Sequence, residues 1–208
     1  NHKKLKADLI HSRGVINIFD NPKLFLDGII DRCNKEGEIY IIHYFNDYGM
    51  DYLVKSGVVN AGKIGIGGWS YGGYFSALGA TKFSRRFKAS VVGAGLSNMI
   101  SFMGTTDIPK EMSIVHWNSF WFDEIDTFWA RSPLAHIKKA KTPTLIFHGS
   151  DDKRVHPEQG LELYQALKMN DVDTELVLYP REKHGVKERS HQLDYMERMI
   201  SWYNKYVK

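Results

Sequence analysis

The sequence predicts an α/β fold in which a mostly parallel sheet is flanked by helices. Short apolar runs rich in Val and Ile alternate along the chain with longer segments of helical spacing. Apolar residues make up 43% of the 208 residues and aromatic residues 13%, which is enough to bury a large core. No repeat or linker divides the chain, so we predict a single domain over residues 1–208.

Five short runs have the composition of strands that are buried on both faces. In chain order they are residues 15–19, 64–67, 89–92, 144–147 and 175–179. Residues 38–45 also have the composition of a strand, but they lead directly into a segment of helical spacing, so their state stays open.

Five segments between and after these runs have helical spacing. They are residues 24–33, 48–55, 74–82, 157–169 and 187–206. In the last segment an apolar stripe is predicted to pack on the core; its members are Leu193, Met196, Met199, Ile200 and Tyr203. Residues 96–131 are irregular and rich in aromatic side chains, and an excursion of this length usually forms a surface or covers a pocket.

Composition excludes several classes of function. The formal charge is +4, but acidic and basic residues are interspersed, so we expect no nucleic-acid partner. Cys33 is the only cysteine, which rules out an intrachain disulfide and favours a cytoplasmic location. No run of eighteen apolar residues is present to span a membrane, and the polar start lacks the apolar region of a signal peptide. Because the sequence does not begin with Met, we expect a fragment or a processed piece.

The strongest motif is a Gly-x-Ser-x-Gly pentapeptide, from Gly68 to Gly72, that follows a predicted strand and leads into a helix. This context is typical of a nucleophile elbow, in which small residues let strand and helix approach around a strained serine. It predicts Ser70 as a nucleophile, with helix N–H groups directed towards a developing oxyanion. A simple tight turn containing serine is the alternative. A phosphate-binding loop fits poorly, because the Gly-Lys-Ser/Thr ending is absent.

A serine hydroxyl needs a base and an orienting carboxylate, expected later in the chain in the order Ser, Asp, His. Asp151 and Asp152 follow the fourth predicted strand, and His184 follows the fifth. Because the carboxyl ends of parallel strands share one sheet edge, these groups are predicted to converge on Ser70. Either aspartate fits equally well at this stage, and both also suit a helix cap. No metal-binding motif occurs, so we predict no metal and no other cofactor.

Several blocks of this sequence together resemble the catalytic domain of the prolyl oligopeptidase family of serine peptidases, especially its acylaminoacyl-peptidase-like branch. They are Gly68-Trp-Ser-Tyr-Gly-Gly-Tyr74, His148-Gly149 with Asp152, Arg154 and Val155, Tyr179-Pro-Arg-Glu182 with His184-Gly185, residues 86–89 and residues 131–134. The resemblance implies an α/β-hydrolase fold and cleavage of short or N-acylated peptides through an acyl-enzyme. It selects Asp152 over Asp151 as the acid and His184 as the base.

The same resemblance suggests further site residues. The backbone N–H of Tyr71 is expected in the oxyanion hole. Arg154 is a candidate for a substrate contact, with a structural ion pair as the alternative. Phe102, Trp117 and Phe120 are candidates for the walls of a substrate pocket, with core packing as the alternative.

The sequence also departs from the family pattern. The family's first strands, its HGG-type oxyanion loop and its N-terminal β-propeller have no recognisable counterpart in these 208 residues. We therefore expect an N-terminally incomplete catalytic domain that depends on a missing N-terminal domain or on another subunit. Two other functions stay open: a carboxylesterase with the same triad, and a catalytically inert interaction module.

Overall fold

The computed structural model of the protein describes residues 60–207, together with Val54, Lys55 and Gly57. The predicted strand at 15–19, the predicted helix at 24–33 and the undecided segment 38–45 lie outside the described residues. Of the predicted helix at 48–55, only Val54 and Lys55 are described, and both are helical.

Four parallel strands form the described part of the sheet, in the spatial order β1-β2-β3-β4. The strands are β1 (Gly65–Trp69), β2 (Ala89–Gly93), β3 (Thr144–Gly149) and β4 (Thr174–Tyr179). Every residue of β2 and β3 is buried, whereas β4 has exposed positions at the edge. The predicted α/β fold with a parallel sheet is confirmed.

Helices cover both faces of this sheet. They are α1 (Tyr71–Ala80), α2 (Met99–Thr105), α3 (Pro109–Glu111), α4 (Ile125–Arg131), α5 (Glu158–Met169) and α6 (Arg189–Tyr206). Ala77 of α1 and Leu163 of α5 share a buried cluster with Val92 and Ile146 on one face. On the other face, Trp202 and other residues of α6 pack against the alternate residues of the same strands. Among the described residues, no helix has the length and apolar character needed to cross a membrane.

Residues 96–131 contain more regular structure than predicted. α2, α3 and α4 lie here, with a π-helical turn at Met112–Trp117. Their buried side chains, including Met99, Phe102 and Phe128, form a cluster with Tyr74 and Leu78 of α1. The excursion therefore packs over the start of α1, next to the turn that carries Ser70.

The apolar stripe predicted for α6 is only partly a core stripe. Tyr203 is buried, whereas Leu193, Met196 and Ile200 are nearly half exposed. The face of α6 that packs on the sheet includes Trp202, which is buried and was not part of the predicted stripe.

Candidate active site

Ser70 occupies a strained turn between β1 and α1. Its backbone has φ 61° and ψ −121°, a region that side-chain-bearing residues rarely adopt. Its N–H donates to the carbonyl of Gly93 (2.8 Å), so the turn is tied to the end of β2. A Cβ placed on Gly68 would lie 2.5 Å from the backbone of Gly72, which explains why the turn needs glycine there.

His184 lies in the loop that follows β4, and its imidazole reaches the serine. The distance from His184 Nε2 to Ser70 Oγ is 2.8 Å, and the histidine side chain is about one-third exposed. The indole Nε1–H of Trp69 donates to the backbone carbonyl of His184 (2.6 Å). The turn that carries Ser70 and the loop that carries His184 are therefore joined by a second hydrogen bond.

Asp152 lies in the loop after β3, and its carboxylate is completely buried. Oδ2 faces His184 Nδ1 at 2.8 Å, and Oδ1 accepts the backbone N–H groups of Arg154 (2.9 Å) and Val155 (3.1 Å). The neighbouring Asp151 is exposed, and its Oδ1 accepts a local hydrogen bond from Ser150 Oγ. The structure thus brings Asp152, and not Asp151, to the histidine.

These contacts determine the proton arrangement that suits nucleophilic chemistry. A carboxylate accepts but does not donate, so Nδ1 of His184 carries the proton that faces Asp152. The lone pair of Nε2 then points at the Ser70 hydroxyl and can accept its proton during attack. The three side chains form a connected hydrogen-bond chain with one end buried and the other accessible.

His148, the next-to-last residue of β3, lies beside the buried carboxylate of Asp152. Its ring is fully buried; Nε2 donates to the carbonyl of Val155 (2.7 Å) and lies 3.6 Å from Asp152 Oδ2. Burial lowers the pKa of His148, against the opposing influence of the Val155 carbonyl and the Asp152 charge. The ring is therefore neutral at physiological pH, and Asp152 keeps His184 as its principal partner.

A sequence model described as the prolyl oligopeptidase family matches residues 45–208. The chain belongs to the prolyl oligopeptidase family. The rice acylamino-acid-releasing enzyme 1 is 28% identical over 167 residues, a match that covers 76% of this chain and 22% of that protein. The chain therefore spans less than a quarter of this relative.

Two solved structures share the fold. They are the uncomplexed acylaminoacyl peptidase of Pyrococcus horikoshii and an acylaminoacyl peptidase in complex with Z-Gly-Gly-Phe-chloromethyl ketone. Each matches with a TM-score of 0.68 and 25% identity, covering 76% of this chain and 26% of the solved chain. The fold of this prolyl oligopeptidase domain is accordingly that of the α/β hydrolases, as the family resemblance implied.

Tyr71, the predicted oxyanion residue, is the first residue of α1. Its backbone N–H lies at the positive end of that helix, directly after the serine, where negative charge is stabilised. Its ring stacks on His116 of the π-helical turn, with 5.9 Å between the centroids. The excursion therefore contacts the residue beside the nucleophile, while the oxyanion role of Tyr71 stays a prediction.

Arg154 lies on the surface beside the acid loop. Its Nε is 2.5 Å from Asp107 Oδ1, and both side chains are nearly half exposed. The carbonyl of Arg154 also accepts a hydrogen bond from Thr106 Oγ1 (2.7 Å). The structural ion pair named as an alternative is thus present, and a substrate contact by the same exposed guanidinium stays a prediction.

The three aromatic pocket candidates occupy different environments. Phe102 is 2% exposed inside the cluster beneath the excursion, so its ring has no open surface to present to a substrate and core packing explains it. Trp117 is partly buried between Phe128 (4.1 Å between centroids) and the guanidinium of Arg131. Phe120 is 43% exposed. Of the three, Phe120 offers the most accessible surface to a ligand.

The ligand atoms of Glu182, Glu188 and His191 lie within 4.8 Å of one another, which is close enough for a metal ion. Glu182 already accepts hydrogen bonds from the backbone and from His191, and Glu188 is paired with Arg181. Because these hydrogen bonds already occupy the atoms that would bind a metal ion, we assign no metal to this cluster.

Sequence reasoning gave no role to Trp69, His148 or Glu182, although all three lie within the blocks that carry the family resemblance. Trp69 adjoins Ser70, but its hydrogen-bond partner His184 lies far away in sequence, so no local spacing reveals the contact. The partners of His148 and Glu182 are near in sequence but lie in or next to loops, where no periodic pattern applies.

Proposed function

We propose that the protein is a serine peptidase in which Ser70 is the nucleophile, His184 the general base and Asp152 the orienting acid. The observation that carries this proposal is the continuous hydrogen-bond chain from Ser70 Oγ through His184 to Asp152, with 2.8 Å at each link. Membership of the prolyl oligopeptidase family supports it independently.

The chemistry is acyl transfer in two steps. Ser70 Oγ attacks the scissile carbonyl while its proton moves to His184 Nε2, and the imidazolium then protonates the leaving amine. The acyl group remains as an ester on Ser70. Water attacks this ester with His184 again acting as the base, which releases the acid and restores the serine.

The expected substrate is a short or N-acylated oligopeptide. The rice relative is named as an acylamino-acid-releasing enzyme, and one matching structure holds a peptide chloromethyl ketone. A carboxylesterase uses the same triad and is the second candidate function. The inert interaction module has less support, because Ser70, His184 and Asp152 form a connected hydrogen-bond chain suited to catalysis.

Paired substrates separate these functions. An N-acetylated tripeptide amide and an ester of the same acyl group are compared in the full protein, with the Ser70→Ala variant as the control. The proposal predicts cleavage of both substrates by the wild type and of neither by the variant. Ester hydrolysis without amide cleavage would instead identify an esterase.

Three further expectations stay predictions. The backbone N–H of Tyr71, the first residue of α1, is the proposed oxyanion donor. Catalysis is also expected to depend on a further N-terminal domain or on another subunit. The rice relative, which is several times longer than this chain, has room for such a domain. A cytoplasmic location rests on the single cysteine, Cys33.

A further inference from the structure

Glu182 is a buried carboxylate that the reaction does not use. It lies two residues before His184 in the loop after β4 and is only 3% exposed. Glutamates are rarely buried to this extent unless their charge is satisfied. The inference below rests on the proposed function, because it concerns how the base of that reaction is held.

The carboxylate of Glu182 closes the loop that carries His184. Oε2 accepts the N–H of Lys187 (2.9 Å), and Oε1 accepts the N–H of Glu188 (2.8 Å) and Nδ1 of His191 (3.0 Å). All three donors follow His184 in the chain, and His191 belongs to the first turn of α6. The side chain therefore joins the part of the loop before His184 to the part after it, and it also ties the loop to α6.

The backbone of the same residue connects the two catalytic loops. The carbonyl of Glu182 accepts the N–H of Asp151 (2.9 Å), the residue next to Asp152. Side chain and main chain of Glu182 thus act together: one shapes the loop of His184, and the other joins this loop to that of Asp152.

The charge of Glu182 is stabilised despite its burial. Burial alone raises the pKa of this carboxyl, but the N–H groups of Lys187 and Glu188 and the His191 side chain outweigh it and hold the pKa below its usual range. Arg181 and Glu188, which pair with each other at the surface, are the other charged groups that face it. The ionised form that accepts all three hydrogen bonds is therefore the stable one.

We propose that Glu182 is a positioning residue that holds His184 in register with both Ser70 and Asp152. The Glu182→Gln variant tests this directly. Its amide has one acceptor oxygen where the carboxylate has two, so at least one loop N–H meets an NH₂ group. The loop then loosens while every atom of the triad is still present.

Two measurements in the full protein report on the histidine. The first is the rate of covalent labelling by a fluorophosphonate, together with kcat and KM for a peptide. We expect the labelling rate and kcat to fall, of the order of 10- to 100-fold, with KM nearly unchanged, since misplacement by about 1 Å costs this much. The second is the downfield proton resonance of the His184–Asp152 hydrogen bond, which needs no turnover and is expected to broaden or disappear.

Glu188→Gln is the control, because its half-buried carboxylate lies in the same loop and pairs with Arg181, while the backbone N–H that it donates to Glu182 is retained. It is expected to label at close to the wild-type rate. If Glu182→Gln does not fold, His191→Phe takes its place: it keeps a ring against Tyr179 (5.1 Å between centroids) and removes one donor, so a smaller loss in both measurements is expected. A folded Glu182→Gln with wild-type labelling and resonance would overturn the proposal, as would an equal loss in Glu188→Gln or no loss in His191→Phe.

The outcome for Glu182 is separable from the outcome for the proposed function. If Ser70→Ala labels as well as the wild type, or the wild type does not label, the peptidase assignment is wrong. The resonance still shows whether Glu182 holds the histidine against Asp152, because it depends on the loop and not on the serine.

Discussion

Replacing Asp152 by Asn changes a single atom at the buried end of the triad. Within the described part of the chain the side chain has three hydrogen-bond partners: Oδ1 accepts the backbone N–H groups of Arg154 and Val155, and Oδ2 faces His184 Nδ1. The asparagine oxygen is expected to keep the two backbone hydrogen bonds, since the opposite orientation would place NH₂ against two N–H groups. The amide NH₂ then takes the place of Oδ2, 2.8 Å from the histidine.

This exchange inverts the proton arrangement of His184. A donor facing Nδ1 forces that nitrogen to accept, so the imidazole proton moves to Nε2 and faces the Ser70 hydroxyl. The base then has no lone pair for the serine proton. We expect kcat to fall by about 10⁴-fold, as for the same exchange in other Ser-His-Asp enzymes. This loss corresponds to about 5.4 kcal/mol of transition-state stabilisation at about 1.36 kcal/mol per tenfold change.

The assay is the steady-state rate of peptide cleavage at neutral pH, with thermal unfolding to confirm that the variant is folded. Asp151→Asn is the matched control, because the two residues are adjacent and only Asp151 is exposed. It is expected to retain nearly full activity. Substantial activity in Asp152→Asn, or an equal loss in Asp151→Asn, would refute the assignment of the acid and the tautomer argument with it.

Further predictions concern the turn, the buried histidine and the surface arginine. Gly68→Ala places a Cβ 2.5 Å from the backbone of α1, so its Tm and labelling should fall, whereas Gly104→Ala, with nothing within 4 Å, should behave like the wild type. Because burial lowers the pKa of His148, the unfolded chain binds a proton that the folded chain does not. The associated stability is present above the unfolded pKa of about 6.5 and is lost as the pH falls below it, so His148→Gln should flatten the dependence of urea unfolding on pH in this range; an unchanged dependence would contradict this. Arg154→Ala should raise KM for a peptide, whereas Asp107→Ala should not. Equal KM values in the two variants would contradict a substrate contact and leave the exposed ion pair as the role of Arg154.

Strands in the middle of the sheet were predictable because they are buried on both faces. β2 and β3 are built around the apolar residues Val91-Val92 and Leu145–Phe147, and their predicted starts at residues 89 and 144 agree with the structure. α1 begins three residues earlier than predicted, at Tyr71. Two glycines in its first turn conceal the helix, since their conformational entropy disfavours it and only the packing of the elbow compensates.

The structure of residues 96–131, between β2 and β3, was harder to predict from the sequence. α2 and α4 have seven residues each, which is too short for hydrophobic periodicity to show. Their stability comes from packing on α1 through side chains such as Phe102 and Phe128. The pattern therefore indicated an aromatic covering but did not reveal its helices.

For the site, spacing indicated the three loops but not the choice between adjacent carboxylates. Asp152 is selected by the direction of its side chain, which the N–H groups of Arg154 and Val155 determine. Such local backbone geometry leaves no mark in the sequence pattern. Only the family resemblance distinguished Asp152 from Asp151 in advance.

If Ser70 forms the covalent intermediate, a fluorophosphonate should modify this residue and no other. The full protein is treated with the reagent and digested, and the added mass is located. We expect a single modified peptide that contains Ser70, no modification in Ser70→Ala, and strongly slowed modification in a His184→Ala variant. Modification at another residue, or equal labelling of Ser70→Ala and the wild type, would contradict it.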